Sequence, residues 1–292
     1  MVPFPNTSST LFIHLPTQVL VMAAPHIPTI AIQPKETHAH TVVFLHGRGD
    51  NARQFAASLA ASRDSSGRTL VDAFPSFRWV FPQAPERELA SSPGTIWPQW
   101  FDVWNVRDFA EKEDLQAVGL REVIPGIQRI LADEATLLGG HWDRIVLMGI
   151  SMGAATGVHV LFNLDIPLNA GGRLAAFVGF SCRCPFAGRD LVGMRGALGL
   201  ASAPDHDRVV RGTPVLLEHC VDDPLVLVEN GRRLRDTLRG FGAPVEWKEY
   251  PSGGHWFNSP KGMDDAVEFL NRVVLGGRME VTQVAVDAMD LE

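Results

Sequence analysis

The sequence of 292 residues has little cysteine and no excess of positive charge. Cys182, Cys184 and Cys220 cannot all pair within one chain, so free thiols in a reducing compartment are the simpler interpretation. The 26 Lys and Arg residues against 33 Asp and Glu residues give a net charge of −7. Such a chain lacks the basic surface that nucleic acid or an anionic membrane requires. We therefore expect a cytoplasmic protein that binds no nucleic acid.

A long uninterrupted hydrophobic run is also missing. Residues 11–32 are apolar, but Pro16, Pro25 and Pro28 interrupt them, and a membrane-spanning helix needs about 20 residues without such breaks. Residues 1–10 contain no Lys or Arg, whereas a signal peptide begins with positive charge. We predict no stable membrane insertion and a disordered N-terminal extension over residues 1–28. A cleaved signal peptide, or a working start at Met22, are the alternatives.

From residue 29 onwards, short apolar runs alternate with longer segments of helical periodicity. Near-continuous apolar runs are typical of strands that are covered on both faces of a parallel sheet. These runs lie at residues 41–46, 77–81, 144–148, 174–180, 214–219 and 245–250. Helices are expected at residues 51–62 and 115–138, and Pro125 should kink or divide the second one. The alternation predicts one α/β domain over residues 29–275, a doubly wound, mostly parallel sheet with helices on both faces.

Two segments break this alternation. Residues 86–105 hold several aromatic residues among prolines and glycines, and residues 182–212 are rich in glycine and proline. Loops of this length in a compact domain are often lids or binding loops, so we predict two lid-like loops. Residues 276–292 are expected to form a poorly ordered tail.

The sharpest chemical signal is Gly149-Ile150-Ser151-Met152-Gly153, which follows an apolar run and precedes a small-residue segment of helical character. A nucleophile elbow has this context, a tight strand-to-helix turn that presents a serine above the sheet. The two glycines are required because a side chain at either position would strike the neighbouring strand or helix. A chance match is the alternative, but the flanking strand and helix favour Ser151 as a nucleophile.

A serine hydroxyl needs a base, and the base needs a carboxylate that orients it. In a fold with a nucleophile elbow, these partners follow the serine in the order Asp, His, at the ends of later strands. Asp223 follows the run at 214–219, and His255 follows the run at 245–250. The neighbouring Asp222 competes with Asp223 for the orienting role. The sequence thus predicts a proton relay from Ser151 to His255, steadied by Asp223.

A tetrahedral intermediate requires two backbone N–H donors. Met152 should supply one, and Arg48, in the glycine-flanked loop after the first central run, should supply the other. His46 and His219 end strands, where a structural hydrogen bond is the expected role. No pair of histidines has the spacing of a zinc site. We therefore expect no metal and no cofactor.

Aromatic residues cluster around these positions. Trp256 directly follows His255, and Trp97, Trp100 and Phe101 lie within residues 86–105. Packing in the core is the commoner fate of such residues. Their placement favours an apolar groove for an acyl chain, because each buried methylene contributes about 0.8 kcal/mol. We predict that these four residues bind substrate.

Six motifs occur in an order that resembles one known group of proteins. They are Phe44 to Asp50, Pro82 to Pro85, Trp100 to Asp102, Gly149 to Gly153, Asp223 to Val226 and Tyr250 to His255. Together they resemble the acyl-protein thioesterase and carboxylesterase group of α/β-hydrolases. The resemblance implies an α/β-hydrolase fold, a triad of Ser151, Asp223 and His255, and an oxyanion hole from Arg48 and Met152. It also implies S-palmitoylated proteins, simple carboxylic esters or lysophospholipids as substrates.

Several positions depart from the pattern of that group. Arg48 stands where leucine is usual, Met152 replaces the usual glutamine, and no glycine follows His219. The favoured function is hydrolysis of an ester or thioester of an apolar acyl group. The substrate is expected to be an acylated protein or a small apolar ester, and transient contact with a membrane is compatible with this function. The alternatives are a small-molecule ester or lactone hydrolase of a biosynthetic pathway and a non-catalytic binding protein of the same fold. The sequence does not indicate an oligomeric state.

Overall fold

The structure is a computed structural model that describes residues 26–276. The expectations for the N-terminal extension and the C-terminal tail concern residues that lie almost entirely outside this range. The strands are β1 (Thr29–Ile32), β2 (His40–Leu45), β3 (Phe77–Pro82), β4 (Glu86–Leu89), β5 (Ser92–Pro98), β6 (Ile145–Ile150), β7 (Ala176–Phe180), β8 (Val215–Cys220) and β9 (Val245–Tyr250). The α-helices are α1 (Ala52–Leu59), α2 (Leu70–Ala73), α3 (Asp114–Leu137), α4 (Met152–Phe162), α5 (Leu191–Leu198), α6 (Arg208–Gly212), α7 (Val228–Gly240) and α8 (Lys261–Leu270).

The main sheet has the strand order β1-β3-β2-β6-β7-β8-β9. Its strands run parallel, except that β1 pairs with β3 in the antiparallel sense at one edge. Every residue of β2, β6, β7 and β8 is buried, as expected for strands covered on both faces. The mostly parallel sheet predicted from the apolar runs is confirmed.

Two hydrophobic clusters cover the two faces of this sheet. Residues along β6 alternate between them, since successive side chains of a strand point to opposite faces. Leu147 packs into the cluster that includes α3, α4 and α7, and Met148 packs into the cluster that includes α1 and α8. The carboxyl ends of the parallel strands therefore meet at one edge of the sheet, between two layers of helices.

Of the two outcomes expected at Pro125, a kink or a division of the helix, the division is wrong. Pro125 lies inside α3, which continues from Asp114 to Leu137. The flanking side chains of Ile124 and Ile127 are fully buried in the core, and this packing offsets the hydrogen bond that proline cannot donate. No helix within residues 26–276 is both long and apolar enough to cross a membrane.

The two segments expected to be lid-like loops contain regular structure. Strands β4 and β5 pair as a separate antiparallel hairpin within residues 86–105, and α5 and α6 lie within residues 182–212. The hairpin could not be predicted from the sequence. Strand β5 is largely exposed and carries Pro93 and Pro98, so its sequence lacks the alternation of apolar and polar residues that indicates a strand. Proline is tolerated at such an edge position.

Candidate active site

Ser151 occupies the turn between β6 and α4. Its backbone has φ +56° and ψ −123°, a strained conformation for a residue with a side chain, and its N–H donates to Phe180 O at 2.9 Å. A Cβ atom added to Gly149 would lie 2.4 Å from Ala154 N, and one added to Gly153 would lie 2.3 Å from Leu45 O. Glycine is required at both positions, so the turn has the geometry of the predicted nucleophile elbow.

His255 and Asp223 are joined by a hydrogen bond. His255 Nδ1 lies 2.7 Å from Asp223 Oδ2, and Asp223 is only 2% exposed. The other carboxylate oxygen accepts the N–H groups of Leu225 and Val226, each at 2.9 Å. Burial alone would raise the pKa of Asp223, but hydrogen bonds from His219, His255 and Val226 hold it well below its usual range. Asp223 is thus a fixed, ionised partner for the imidazole.

A second histidine contacts the same carboxylate. His219 Nε2 lies 2.7 Å from Val226 O and 3.3 Å from Asp223 Oδ2. Because a carbonyl oxygen only accepts hydrogen bonds, Nε2 carries the proton and donates it. His219, which is 1% exposed, therefore makes the structural hydrogen bond expected of it. It ties the carboxylate to the turn that follows.

Asp222, the competing carboxylate, points to a different set of atoms. Its oxygens accept the N–H groups of Gly253 at 3.2 Å and Gly254 at 2.8 Å. These glycines lie directly before His255 in the chain. Asp222 therefore holds the loop that carries the histidine, whereas Asp223 contacts the ring itself.

The loop after β2 approaches Ser151 closely. A Cβ atom added to Gly47 would lie 3.6 Å from Ser151 Cβ. His46 fixes this loop, because its Nδ1 donates to Gly47 O at 2.8 Å and its Nε2 accepts from Ala84 N at 3.1 Å. Burial lowers the pKa of His46, which favours this neutral form. The backbone around Arg48 is thereby held beside the serine.

A cavity of about 450 Å³ brings most of the predicted residues together. Both proposed oxyanion residues line it, as do Ser151 and His255. Its aromatic walls are formed by Trp97, Phe101, Phe109 and Trp256.

The cavity lining differs from the predicted substrate-binding residues at Trp100 and Arg183. Trp100 does not line the cavity; it is fully buried, and its Nε1 donates to His46 O at 2.8 Å, which is a structural role. Asp223 lies behind His255 rather than on the wall. Sequence reasoning missed Arg183, which lines the cavity just after β7. Its position after a central strand was the available signal, because the ends of parallel strands share one edge.

The part of the chain that the structure describes contains no group of three or more His, Cys, Asp or Glu residues arranged to hold a metal ion. Cys182, Cys184 and Cys220 are buried and unpaired. Burial raises the pKa of the Cys184 thiol to about 12 and that of Cys220 to about 11. Both thiols are therefore protonated at neutral pH and are poor nucleophiles.

Residues 27–274 match the phospholipase/carboxylesterase family. The chain belongs to this family. It is 26% identical over 260 residues to acyl-protein thioesterase 1 of Gibberella zeae, a match that covers 86% of this chain and 97% of the relative. It is 30% identical over 198 residues to acyl-protein thioesterase 1 of Schizosaccharomyces pombe, covering 68% and 75% of the two chains. The crystal structure of acyl-protein thioesterase 2 from Zea mays is also similar, with a TM-score of 0.65 and 26% identity over 85% of this chain and 99% of that one.

These relatives confirm the resemblance seen in the six motifs. This member of the phospholipase/carboxylesterase family is an α/β-hydrolase, and it is an enzyme that cleaves ester or thioester bonds. The alternative of a non-catalytic binding protein is therefore set aside.

Proposed function

We propose that Ser151, His255 and Asp223 form a catalytic triad that hydrolyses carboxylic esters or thioesters through an acyl-enzyme. One observation carries this proposal. The His255 ring donates Nδ1–H to the buried carboxylate of Asp223, and the same ring lines the cavity into which Ser151 faces. A histidine fixed in this tautomer presents Nε2 as the base.

The first half-reaction acylates the serine. Ser151 Oγ attacks the carbonyl carbon while His255 Nε2 takes its proton, and Asp223 stabilises the imidazolium. The negative charge that develops on the carbonyl oxygen is stabilised by the backbone N–H groups of Arg48 and Met152. Collapse of the tetrahedral intermediate breaks the C–O or C–S bond, and His255 returns the proton to the departing alcohol or thiol.

The second half-reaction releases the acid. His255 removes a proton from water, the resulting hydroxide attacks the acyl carbon, and Ser151 leaves with the proton returned by His255. No step requires a metal or an organic cofactor.

The aromatic walls of the cavity support an apolar acyl group as the group transferred. Trp97, Phe101 and Trp256 offer the surface against which methylenes are buried. The substrate is an acylated protein or a small ester, and the reaction takes place in the cytoplasm. The protein contacts a membrane transiently when the acyl chain of its substrate is inserted there. Activity assays separate the two substrates. Hydrolysis of palmitoyl-cysteine peptides would support an acylated protein as substrate, whereas activity confined to short p-nitrophenyl esters would support a small-molecule ester or lactone hydrolase.

A fluorophosphonate probe tests the nucleophile. The intact protein should be labelled at Ser151, and Ser151→Ala should lose both the label and ester hydrolysis. Ser252→Ala is the matched control, because Ser252 is an exposed serine near His255 in the chain, and it should retain both. Labelling that survives Ser151→Ala, or that maps to another residue, would refute the proposal.

A further inference from the structure

Two arginines line the otherwise largely apolar cavity. Arg48 follows β2 and Arg183 follows β7. These strands are the two neighbours of β6, whose end carries Ser151. The two arginines therefore enter the cavity wall from the strands on either side of the one that carries Ser151.

Neither guanidinium forms an ion pair with a carboxylate among residues 26–276; the more distant carboxylates of Asp102 and Glu113 act to raise the pKa of Arg48 and Arg183 respectively, against the larger effect of burial. Arg48 Nε donates to Gln99 Oε1 at 2.9 Å, and Arg183 Nη2 donates to Gln116 Oε1 at 2.7 Å. Both partners are neutral amides, and both glutamines are buried. Asp50 is the one carboxylate among the lining residues, so cations outnumber anions on the cavity wall.

Arg183 is the more informative of the two, because it is only 6% exposed. Its Cζ lies 4.0 Å from the ring centroid of Phe109 and 5.7 Å from that of Phe101. Burial lowers its pKa to about 10, so it stays charged at neutral pH. A buried cation is costly unless an anion pairs with it, and the aromatic rings supply only part of that compensation.

The acyl half of a substrate, rather than its leaving group, reaches such a buried position. An acyl group that remains bonded to Ser151 can occupy the buried part of the cavity while the alcohol or thiol departs toward solvent. A guanidinium also matches a carboxylate with two parallel hydrogen bonds.

We propose that Arg183 and Arg48 bind a carboxylate carried by the acyl chain, so that the preferred substrates are monoesters or monothioesters of dicarboxylic acids. This inference rests on the proposed function of Ser151. It adds a specificity that the purely apolar walls would not give.

The test compares two substrates that differ only at the chain end, the p-nitrophenyl monoester of suberic acid and p-nitrophenyl octanoate. The intact protein should show a kcat/KM about tenfold or more higher for the suberate monoester. Arg183→Gln and, separately, Arg48→Gln should bring this ratio toward unity, and Arg183→Lys should retain part of it. Using the ratio removes any general loss of activity in a variant.

Arg189→Gln is the matched control. Arg189 is an exposed arginine that stacks on Phe186 at 5.2 Å but does not line the cavity, so its loss should leave the ratio unchanged. A ratio near unity in the intact protein overturns the inference. The inference is also overturned if the enzyme prefers a negative charge only on the alcohol half of the substrate. That result would appear as faster hydrolysis of octanoylglycerol phosphate than of octanoylglycerol.

Failure of the triad is distinguishable from failure of this inference. If neither p-nitrophenyl ester is hydrolysed and Ser151 is not labelled, the proposed function fails. Calorimetric binding of suberate and octanoate then decides the role of the arginines. Tighter binding of suberate that is lost in Arg183→Gln supports it, and equal binding of the two acids overturns it. Unfolding curves identify a variant that is not folded, in which case Arg48→Gln gives the result.

Discussion

Asp223 is held by groups from three parts of the chain. The N–H groups of Leu225 and Val226 fix one oxygen, and the rings of His255 and His219 approach the other. Because these donors all favour the ionised carboxylate, its pKa is depressed. The residue thus stays charged well below neutral pH, and its contribution to stability is present above the ordinary pKa of aspartate, about 3.9, and is lost as the pH falls below that value.

The two adjacent aspartates should respond very differently to the same change. Asp223→Asn should lower kcat/KM by about a thousandfold or more, since an amide facing Nδ1 favours the wrong tautomer of His255. Asp222→Asn keeps one of the two accepting oxygens, so one of the bonds from Gly253 N–H and Gly254 N–H survives. The fall in kcat/KM should therefore be about tenfold or less. Steady-state kinetics on one ester measures both, and a larger loss in Asp222→Asn would reverse the assignment.

At the scale of elements, the junction of β6 and α4 determines where the nucleophile sits. Gly153 packs against the backbone carbonyls of Leu45 and His46, so the start of α4 lies directly on the end of β2. The same contact brings the loop at Gly47 and Arg48 beside Ser151. The proposed nucleophile and one oxyanion donor are therefore positioned by a single close backbone approach.

Alanine at Gly153 should disturb this junction. The added Cβ would lie 2.3 Å from Leu45 O and 2.4 Å from His46 O, and backbone on both sides cannot yield cheaply. We expect the free energy of unfolding in denaturant to fall by about 1–3 kcal/mol, together with a loss of esterase activity.

Gly196→Ala is the control for that variant. Gly196 is an exposed position of α5 with no atom within 4 Å of an added Cβ. Alanine there should raise the free energy of unfolding by about 0.5–1 kcal/mol. Equal effects of the two substitutions would contradict the packing assigned to Gly153.

At the scale of the whole molecule, the parallel sheet gathers residues that are far apart in the chain. Arg48, Ser151, Arg183, Asp223 and His255 each follow a different strand, β2, β6, β7, β8 and β9 in turn. The carboxyl ends of those strands share one edge. The fold thus gathers the residues of the proposed site at that edge.

A buried carboxyl group in β8, that of Glu218, affects the stability of the whole molecule. Burial, and then the negative charge of Asp265, raise the pKa of Glu218 well above its usual range. The pKa of this carboxyl group is higher in the folded chain than in the unfolded chain, where it is about 4.3. As the pH rises above about 4.3, the unfolded chain loses the proton more readily, so the free energy of unfolding falls.

Glu218→Gln should therefore raise the free energy of unfolding at neutral pH. The gain over the natural chain should shrink as the pH falls toward about 4, where the carboxyl is protonated in both states. Denaturant titrations across this pH range measure it, with the exposed Glu36→Gln as control. A gain that is independent of pH would show that ionisation is not its cause.

Much of this arrangement could be predicted from the sequence, because it depends on local signals. Apolar runs located the central strands to within a few residues, and the glycines around Ser151 indicated the elbow. The hairpin β4–β5 was not predicted, because β5 is largely exposed and its sequence does not alternate between apolar and polar residues. The place of Arg183 in the cavity wall and the structural role of Trp100 were not predicted, because each depends on a contact with a distant segment. Arg183 packs on Phe109, and Trp100 donates to His46 O.

A crystal structure of the protein after reaction with a fluorophosphonate would show the proposed triad and oxyanion hole around a single adduct. We expect a bond from phosphorus to Ser151 Oγ, with the phosphonyl oxygen accepting from the N–H groups of Arg48 and Met152. We also expect His255 within hydrogen-bond reach of Ser151 Oγ, with its contact to Asp223 intact. An adduct on another residue, or an adduct at Ser151 with His255 out of reach, would contradict the proposed triad.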